Sequence, residues 1–401
     1  MIAGINYPWT IVNGRSNYGC DFGRNIWDSH TGVSTHVDDV RADLQAMAGL
    51  GMEVVRWFVF TDGRGGVRWG ADRRCDGLDD LFFTDMDAAL ACARDAGVRL
   101  CLVLFDYAWM HDPVRRAMAA SERGRAEMMG ALVEPLLDTY GTGSRCANLG
   151  QAIHSFDIIN EPDWVTAGLE PPLGGETLTI DELRAFVGDL SARIHARSPA
   201  LVTLGGGRVR FASEWDHPAY GLDFIQVHSY PDVRYQDRDI LLFGRSAASF
   251  GLIRPLLIGE YAANPRLHPP DHLPPAYWPE DYQALVREGG YLGAWPWSFK
   301  GVDAFGSVTL ASGASLTMAD SLDPIVQFVQ SRFTGALAGR PPGLDEPLFS
   351  SGVIDSFGVL ELIAFLEDTY QVTIDTDRHE LGEFDTVNKI GSLVSRLRGN
   401  A

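Results

Sequence analysis

The sequence predicts an α/β protein, a (β/α)8 TIM barrel followed by a small all-α helical bundle. Eight short apolar runs alternate with amphipathic stretches over residues 1–318, the rhythm of repeated strand–helix units. Several runs are apolar without alternation, as befits parallel strands covered on both faces. From about residue 322 only helical periodicity remains, which sets a second domain at 322–401. A chain of 401 residues exceeds what one core usually organises, so a large and a small domain are the natural division.

The eight runs are Ile2–Asn6, Val54–Phe60, Leu100–Phe105, Phe156–Asn160, Leu201–Gly205, Phe224–His228, Leu256–Glu260 and Tyr291–Trp297. Between them, Val37, Val40, Leu44 and Met47 fall on one helical face. Thr179-Ile-Asp-Glu182 reads as a capping box, opening a helix with Leu183, Val187, Leu190 and Ile194 on one side. Gly51 and Gly97, each just before a strand, suit helix C-caps. Such units close into a barrel whose chemistry sits at the C-terminal ends of its strands. An open doubly wound sheet normally shows a glycine-rich phosphate turn after strand 1, where Tyr7-Pro8-Trp9 stands here. In the second domain Asp323-Pro324 reads as a helix start. Ile325, Phe328, Val329 and Phe333 continue that helix, and Gly339-Arg-Pro-Pro-Gly343 breaks it. Two more amphipathic helices follow Asp355 and Asp385.

Composition excludes several classes. With 46% hydrophobic and 21% charged residues the chain is ordinary globular protein, and no apolar run approaches the ~18 residues of a membrane span. A formal charge of −20 argues against nucleic acid or an anionic membrane as partner. Five scattered cysteines without CxxC spacing suggest neither a disulfide framework nor a zinc site, and no metal is expected. Met1-Ile-Ala-Gly-Ile-Asn-Tyr7 reads as the first core strand rather than an export signal, so a cytoplasmic protein is expected.

Two apolar strands end in glutamates, Ile158-Ile-Asn-Glu161-Pro and Leu256-Leu-Ile-Gly-Glu260-Tyr. A buried strand-end carboxylate is costly unless it is hydrogen-bonded or used. On a parallel barrel both point into one cleft, and carboxyls about 5–5.5 Å apart suit double displacement at a glycosidic carbon. Repulsion and burial should raise the pKa of whichever acts as acid. Either glutamate alone reads more readily as a strand cap; the pair agrees with further residues. Ile-Asn-Glu-Pro resembles the acid/base motif of glycoside hydrolase clan A, and Ile-Gly-Glu-Tyr its nucleophile motif. Val227-His228-Ser229-Tyr230, Val55-Arg56 and Ala294-Trp295-Pro-Trp297 resemble that clan's sixth, second and eighth strands. The likeness spans most of residues 1–300, nearest to family 5 and its mannanase-like members. It implies Glu161 as acid/base, Glu260 as nucleophile and Asn160 on the sugar 2-hydroxyl. Arg56 and Tyr230 would hold the nucleophile ionised, His228 would sit near the acid/base, and Trp297 would floor the reacting sugar. Trp295 and Trp297 are expected to face opposite ways, one of them in the core or helix layer. Trp9, Trp109 and Trp164 follow strands 1, 3 and 4, where they serve either as sugar-stacking platforms or as loop packing. Many members place a histidine after strand 3; here Phe105-Asp106-Tyr107 stands there, which leaves the sugar open.

Gly352-Val-Ile-Asp355-Ser356-Phe-Gly-Val-Leu-Glu361-Leu362 resembles the attachment motif of acyl and peptidyl carrier proteins, with Phe357 in place of the commoner Leu or Met. The resemblance implies 4'-phosphopantetheine on Ser356. Independently, a serine at a helix N-terminus lies near the positive end of the macrodipole, where a phosphodiester is favoured. Residues 322–401 hold 12 Asp/Glu against 6 Lys/Arg, a net −6 that steers toward basic partner surfaces. Together these imply a retaining β-glycosidase needing no metal and acting on a carbohydrate or glycoside, as a glycosylated or carrier-tethered biosynthetic intermediate. Its partners would be a phosphopantetheinyl transferase and biosynthetic enzymes. The alternatives are a carrier or interaction protein whose barrel only binds a sugar, and a transglycosylase.

Overall fold

The computed structural model describes residues 1–13, 15–170, 176–230, 242–263, 279–301, 323–333, 337, 342–343, 346–351, 353–354, 356–370, 372, 374 and 381–399. The chain divides into two compact units, Met1–Ala311 and Ser312–Ala401. The expected boundary near 318–322 lies outside the described residues.

In the first unit all eight predicted strands form and pair in chain order, each parallel to the next. They are β1 (Gly4–Asn6), β2 (Val54–Phe58), β3 (Arg99–Asp106), β4 (Ile153–Asn160), β5 (Leu201–Gly206), β6 (Ile225–Ser229), β7 (Leu256–Ala262) and β8 (Ala294–Trp297). The two ends meet: Ile2 N–H donates to the Leu292 carbonyl and Phe299 N–H to the Asn6 carbonyl, both at 2.8 Å. This is a (β/α)8 barrel. Helices Val37–Gly49, Phe82–Ala96 and Ile180–Arg197 cover it, the first and the last with the faces that the sequence shows. Thr179 and Glu182 close the reciprocal capping box, and Gly97 supplies the left-handed C-cap at φ 77°. Between β5 and β6 the longest helix is only Ala212–Trp215, and among the described residues between β6 and β7 there is only the short turn Ala247–Phe250.

The interior is layered as strand periodicity requires, with residues i, i+2 and i+4 sharing a face. At the N-terminal end Val54, Cys101, Phe224, Leu257 and Trp295 pack together. At the other end Phe58, Val103 and Trp297 do so, with Trp9 and Tyr230 beside them. Trp295 and Trp297 therefore lie in successive inner layers. The expectation that they face opposite ways is corrected, because residues two apart on a strand share a face. Between the apolar layers sits a polar one, where Arg56 and Asp157, each 0% exposed, pair at 2.9 Å. No helix among the described residues is long and apolar enough to cross a membrane.

The second unit, among its described residues, has helices Asp323–Arg332, Ser356–Tyr370 and Val387–Gly399. Ile325, Val329, Val359, Leu362, Leu366, Val387, Ile390 and Val394 form its core, and Phe328 stacks on Phe365 at 4.3 Å. Ile325, Phe328 and Val329 belong to the stripe read from the sequence, and the other two helices stand where amphipathic ones were expected. Asp355 and Gly352 lie outside the described residues.

Candidate active site

Local irregularities aim the two glutamates. In β7, Val227 pairs Ile258 but His228 pairs Glu260, so one extra residue stands in β7 at Gly259. The same slip appears against β8. A bulge of this kind turns the next side chain to the other face, and it brings Glu260 inward. Only glycine fits there: a Cβ on residue 259 would lie 2.3 Å from Gln226 Oε1. The Gly259 carbonyl is caught by Asn6 Nδ2 at 2.9 Å. β4 carries a similar slip between Asp157 and Asn160, which lets both of those side chains reach Arg56. Glu161 follows at φ 47°, ψ 49°. Such a conformation costs an ordinary residue about 1–3 kcal/mol and is kept where surrounding contacts enforce it; here Glu161 N–H donates to the Gly205 carbonyl at 2.6 Å.

The side chains then form one network. Arg56 donates to Asp157 at 2.9 Å, to Asn6 Oδ1 at 3.1 Å, to Asn160 Oδ1 at 2.7 Å and to Glu260 Oε1. Tyr230 donates its phenol to Glu260 Oε2 at 2.6 Å. His228 Nδ1 lies 3.0 Å from Glu161 Oε1 and 3.6 Å from Glu260 Oε2, and Trp164 Nε1 donates to Glu161 Oε2 at 2.9 Å. A ligand atom from each of Glu161, His228 and Glu260 lies within 4.8 Å of the others. Among the described residues this is the one trio of His, Cys, Asp or Glu spaced to hold a metal ion, and Arg56 already brings positive charge to it through Glu260. Gly205 keeps room at the centre, since a Cβ there would crowd Arg56, His228 and Asp157 at about 3 Å.

The structure thus brings Arg56, Asn160, Glu161, His228, Tyr230 and Glu260 into one cluster, with Trp297 in the apolar layer beside Tyr230. Trp9 stands edge-on to Trp297 at 6.0 Å, and Trp164 binds Glu161. Trp109 differs: it is 0% exposed among Phe60, Phe105 and Trp69, so it packs the loop. Sequence reasoning missed Asn6, Asp106, Asp157 and Gln226. Asp157, a charge between Phe156 and Ile158 in a buried strand, was the visible signal. A separate groove of about 420 Å³ lies over the loops after β1 to β3, lined by Trp27, Trp69, Arg64, Arg73 and Arg115 among others.

Burial pushes both glutamates up. At Glu161 the hydrogen bond and charge of His228, with Trp164 and Arg208, outweigh it and hold the carboxyl below its ordinary range. At Glu260 burial outweighs His228, Arg56 and Tyr230 and, with the charge of Glu161, leaves the carboxyl raised. This order is the reverse of the expected raised acid at Glu161, and it turns on the imidazole. His228 Nε2 is buried without a hydrogen-bond partner among the described residues. The ring's hydrogen bond to the pair therefore runs through Nδ1, to Glu161 Oε1 at 3.0 Å. Asp106 and Asp163, both buried, are each pushed up to about 7, chiefly by desolvation, against hydrogen bonds from Ala108 and Asn160 for the first and Gly207 for the second.

No protein-family model matches the chain. The D-alanyl carrier protein of Streptococcus mutans is 38% identical over 55 residues, 14% of this chain and 70% of that protein. That of Streptococcus suis is 41% identical over 54 residues, 14% of this chain and 68% of that protein. Over that stretch the chain belongs to the D-alanyl carrier protein family. Among solved structures, the β-mannanase of the blue mussel Mytilus edulis is 20% identical, covering 76% of this chain and 88% of its own at a TM-score of 0.58. The endo-1,4-β-mannanase of Eisenia fetida is 19% identical, covering 74% of this chain and 84% of its own at 0.57. That likeness shows the fold, a barrel shared with those mannanases.

Proposed function

We propose that the barrel is a retaining β-glycosidase, with Glu260 as nucleophile and Glu161 as acid/base. The observation that carries this is the two carboxyls meeting within 4.8 Å across His228, close to the ~5 Å of double displacement. Glu260 attacks the anomeric carbon while Glu161 gives its proton to the departing glycosidic oxygen, leaving a glycosyl ester on Glu260. Glu161, now ionised, takes a proton from water, which attacks the same carbon, breaks the ester and returns Glu260 with net retention. Arg56 and Tyr230 hold the two Glu260 oxygens and favour its ionised form at the moment of attack. Asn160 addresses the sugar 2-hydroxyl, and Trp297 offers an aromatic floor. The test is trapping with a panel of 2-deoxy-2-fluoro glycosides, β-mannosides first, followed by peptide mapping. An adduct on Glu260 is expected; an adduct elsewhere, or none with any sugar, rejects the assignment.

For the carrier stretch we propose Ser356 as the site of 4'-phosphopantetheine. The helix Ser356–Tyr370 begins at this residue, so the positive end of its backbone dipole suits a phosphodiester. When bound, the arm would supply a thiol for thioester chemistry. Gly358, two residues on, lies where a Cβ would come within 2.8 Å of Ile354 and Phe333, which fixes the start of this helix on the core. A carrier on the same chain suggests that the glycoside is a biosynthetic, carrier-linked intermediate processed in the cytoplasm with partner enzymes. Intact mass after incubation with coenzyme A and a phosphopantetheinyl transferase decides the attachment: one added arm is expected, and none on Ser356→Ala.

A further inference from the structure

The Asn160 amide is clamped at both ends. Arg56 donates to its Oδ1 at 2.7 Å, and its Nδ2 donates to Asp106 Oδ2 at 2.8 Å. A guanidinium can only donate and an ionised carboxylate can only accept, so the two partners together fix which end of the amide is nitrogen. Asp106 is itself anchored, since its Oδ1 accepts from Ala108 N–H at 2.9 Å, and it is 6% exposed. One Nδ2 hydrogen of Asn160 is spent on Asp106. The second, coplanar with the first, is the donor left for a substrate.

We propose that Asp106 is a positioning residue for the Glu161–Glu260 chemistry, holding the Asn160 amide so that its remaining N–H meets the sugar 2-hydroxyl. The proposal rests on the glycosidase reading above. It also accounts for an unusual placement. A carboxylate at the end of β3 is buried near two other carboxyls, and a residue serving only to end the strand needs no such neighbours. The groups facing Asp106 are Glu161 after β4, Glu260 on β7, and the phenols of Tyr18 and Tyr107, with Asp62 and Arg64 beyond Tyr18. Burial and the two glutamates raise its pKa to about 7. Below that value the carboxyl gains a proton and becomes a poorer acceptor. The clamp on Asn160 loosens as pH falls through neutrality.

Two readouts test this. The side-chain amide resonance of Asn160, assigned by its loss in Asn160→Ala, is followed over about pH 5–9 in the wild type and in Asp106→Asn. A shift with a midpoint near 7 is expected in the wild type and not in the variant. A flat wild-type resonance, or the same titration in Asp106→Asn, overturns the proposal whether or not any glycoside is turned over. In parallel, kcat/KM is measured on an aryl β-glycoside and on its 2-deoxy analogue. Asp106→Asn should lose roughly tenfold on the first and stay within about twofold on the second, and Asp106→Ala should show the same contrast. Equal losses on both substrates overturn the proposal. If the wild type turns over neither glycoside while the amide titrates as expected, the glycosidase reading fails and the clamp stands.

Discussion

Arg56 is 0% exposed and donates to four different side chains, two of them carboxylates. Burial pulls the pKa of such a group down, but Asp157 and Glu260 keep it above the usual arginine value. Removing one member of a buried ion pair strands the other, typically at about 3–5 kcal/mol. Arg56→Ala should therefore lower the barrel's unfolding free energy by that order in a denaturant titration as well as abolish turnover; unchanged stability would contradict the buried network. Asp163 gives the opposite expectation. Its pKa rises from 3.8 to about 7 through burial, so the folded chain binds more protons than the unfolded one between those values. Stability on this account falls as pH rises through that window. Oδ2 takes Gly207 N–H at 2.5 Å, while Oδ1 is buried without a partner among the described residues. Asp163→Asn keeps an acceptor for Gly207 and removes the charge. It should match the wild type near pH 3 and exceed it by roughly 1–4 kcal/mol near pH 8, as read from urea midpoints at both pH values.

At the scale of elements, the strands were legible and their irregularities were not. Runs such as Leu100–Phe105 and Phe224–His228 are apolar because both faces are covered, and that signal survives without any alignment. A bulge leaves no such trace, since it depends on the register of two strands that lie far apart in sequence. Gly259, between Ile258 and Glu260, was visible as a residue but not as a bulge. The fit there is tight enough to test. Gly259→Ala forces a Cβ against Gln226 Oε1, and Gln226 Nε2 is held by Asp157 at 3.1 Å and Thr203 at 3.3 Å. The substitution should cost about 1–3 kcal/mol by overpacking and displace Glu260. Adding Gln226→Ser should cost less than the sum of the two single changes; strict additivity would mean the two do not meet. The same limit explains Trp109, whose place after β3 suited a sugar platform although its ring turned inward. In the second unit, Asp385 accepts Ser350 N–H at 2.8 Å, Ser350 Oγ at 2.9 Å and Phe349 N–H at 3.0 Å. These bonds hold its carboxyl below the ordinary range. The stability they give is present above the unfolded pKa and lost as pH falls through the folded one. Asp385→Ala should speed amide exchange at Phe349 and Ser350 at neutral pH, with the difference fading in acid.

At the scale of the whole molecule, the chain joins two cores of different kinds, and the tryptophans separate them. All ten lie at or before Trp297, inside the unit Met1–Ala311. Tryptophan fluorescence therefore follows the barrel alone, whereas helical circular dichroism includes Ser356–Tyr370 and Val387–Gly399 as well. The second core is small, built on residues such as Val329, Leu362, Leu366 and Ile390, and domains of its size bury a smaller fraction of their surface. Its unfolding should come at lower denaturant than that of the barrel. The two signals should then give different midpoints, with the dichroism transition broader or biphasic, as two independently cooperative units require. Ser356→Ala should leave the fluorescence curve in place, because residue 356 belongs to the second unit. Superimposable curves from both probes would show one cooperative molecule. The carrier stretch would then be part of the barrel's folding unit rather than a module attached to it, and its proposed role as a separate carrier would lose its physical basis.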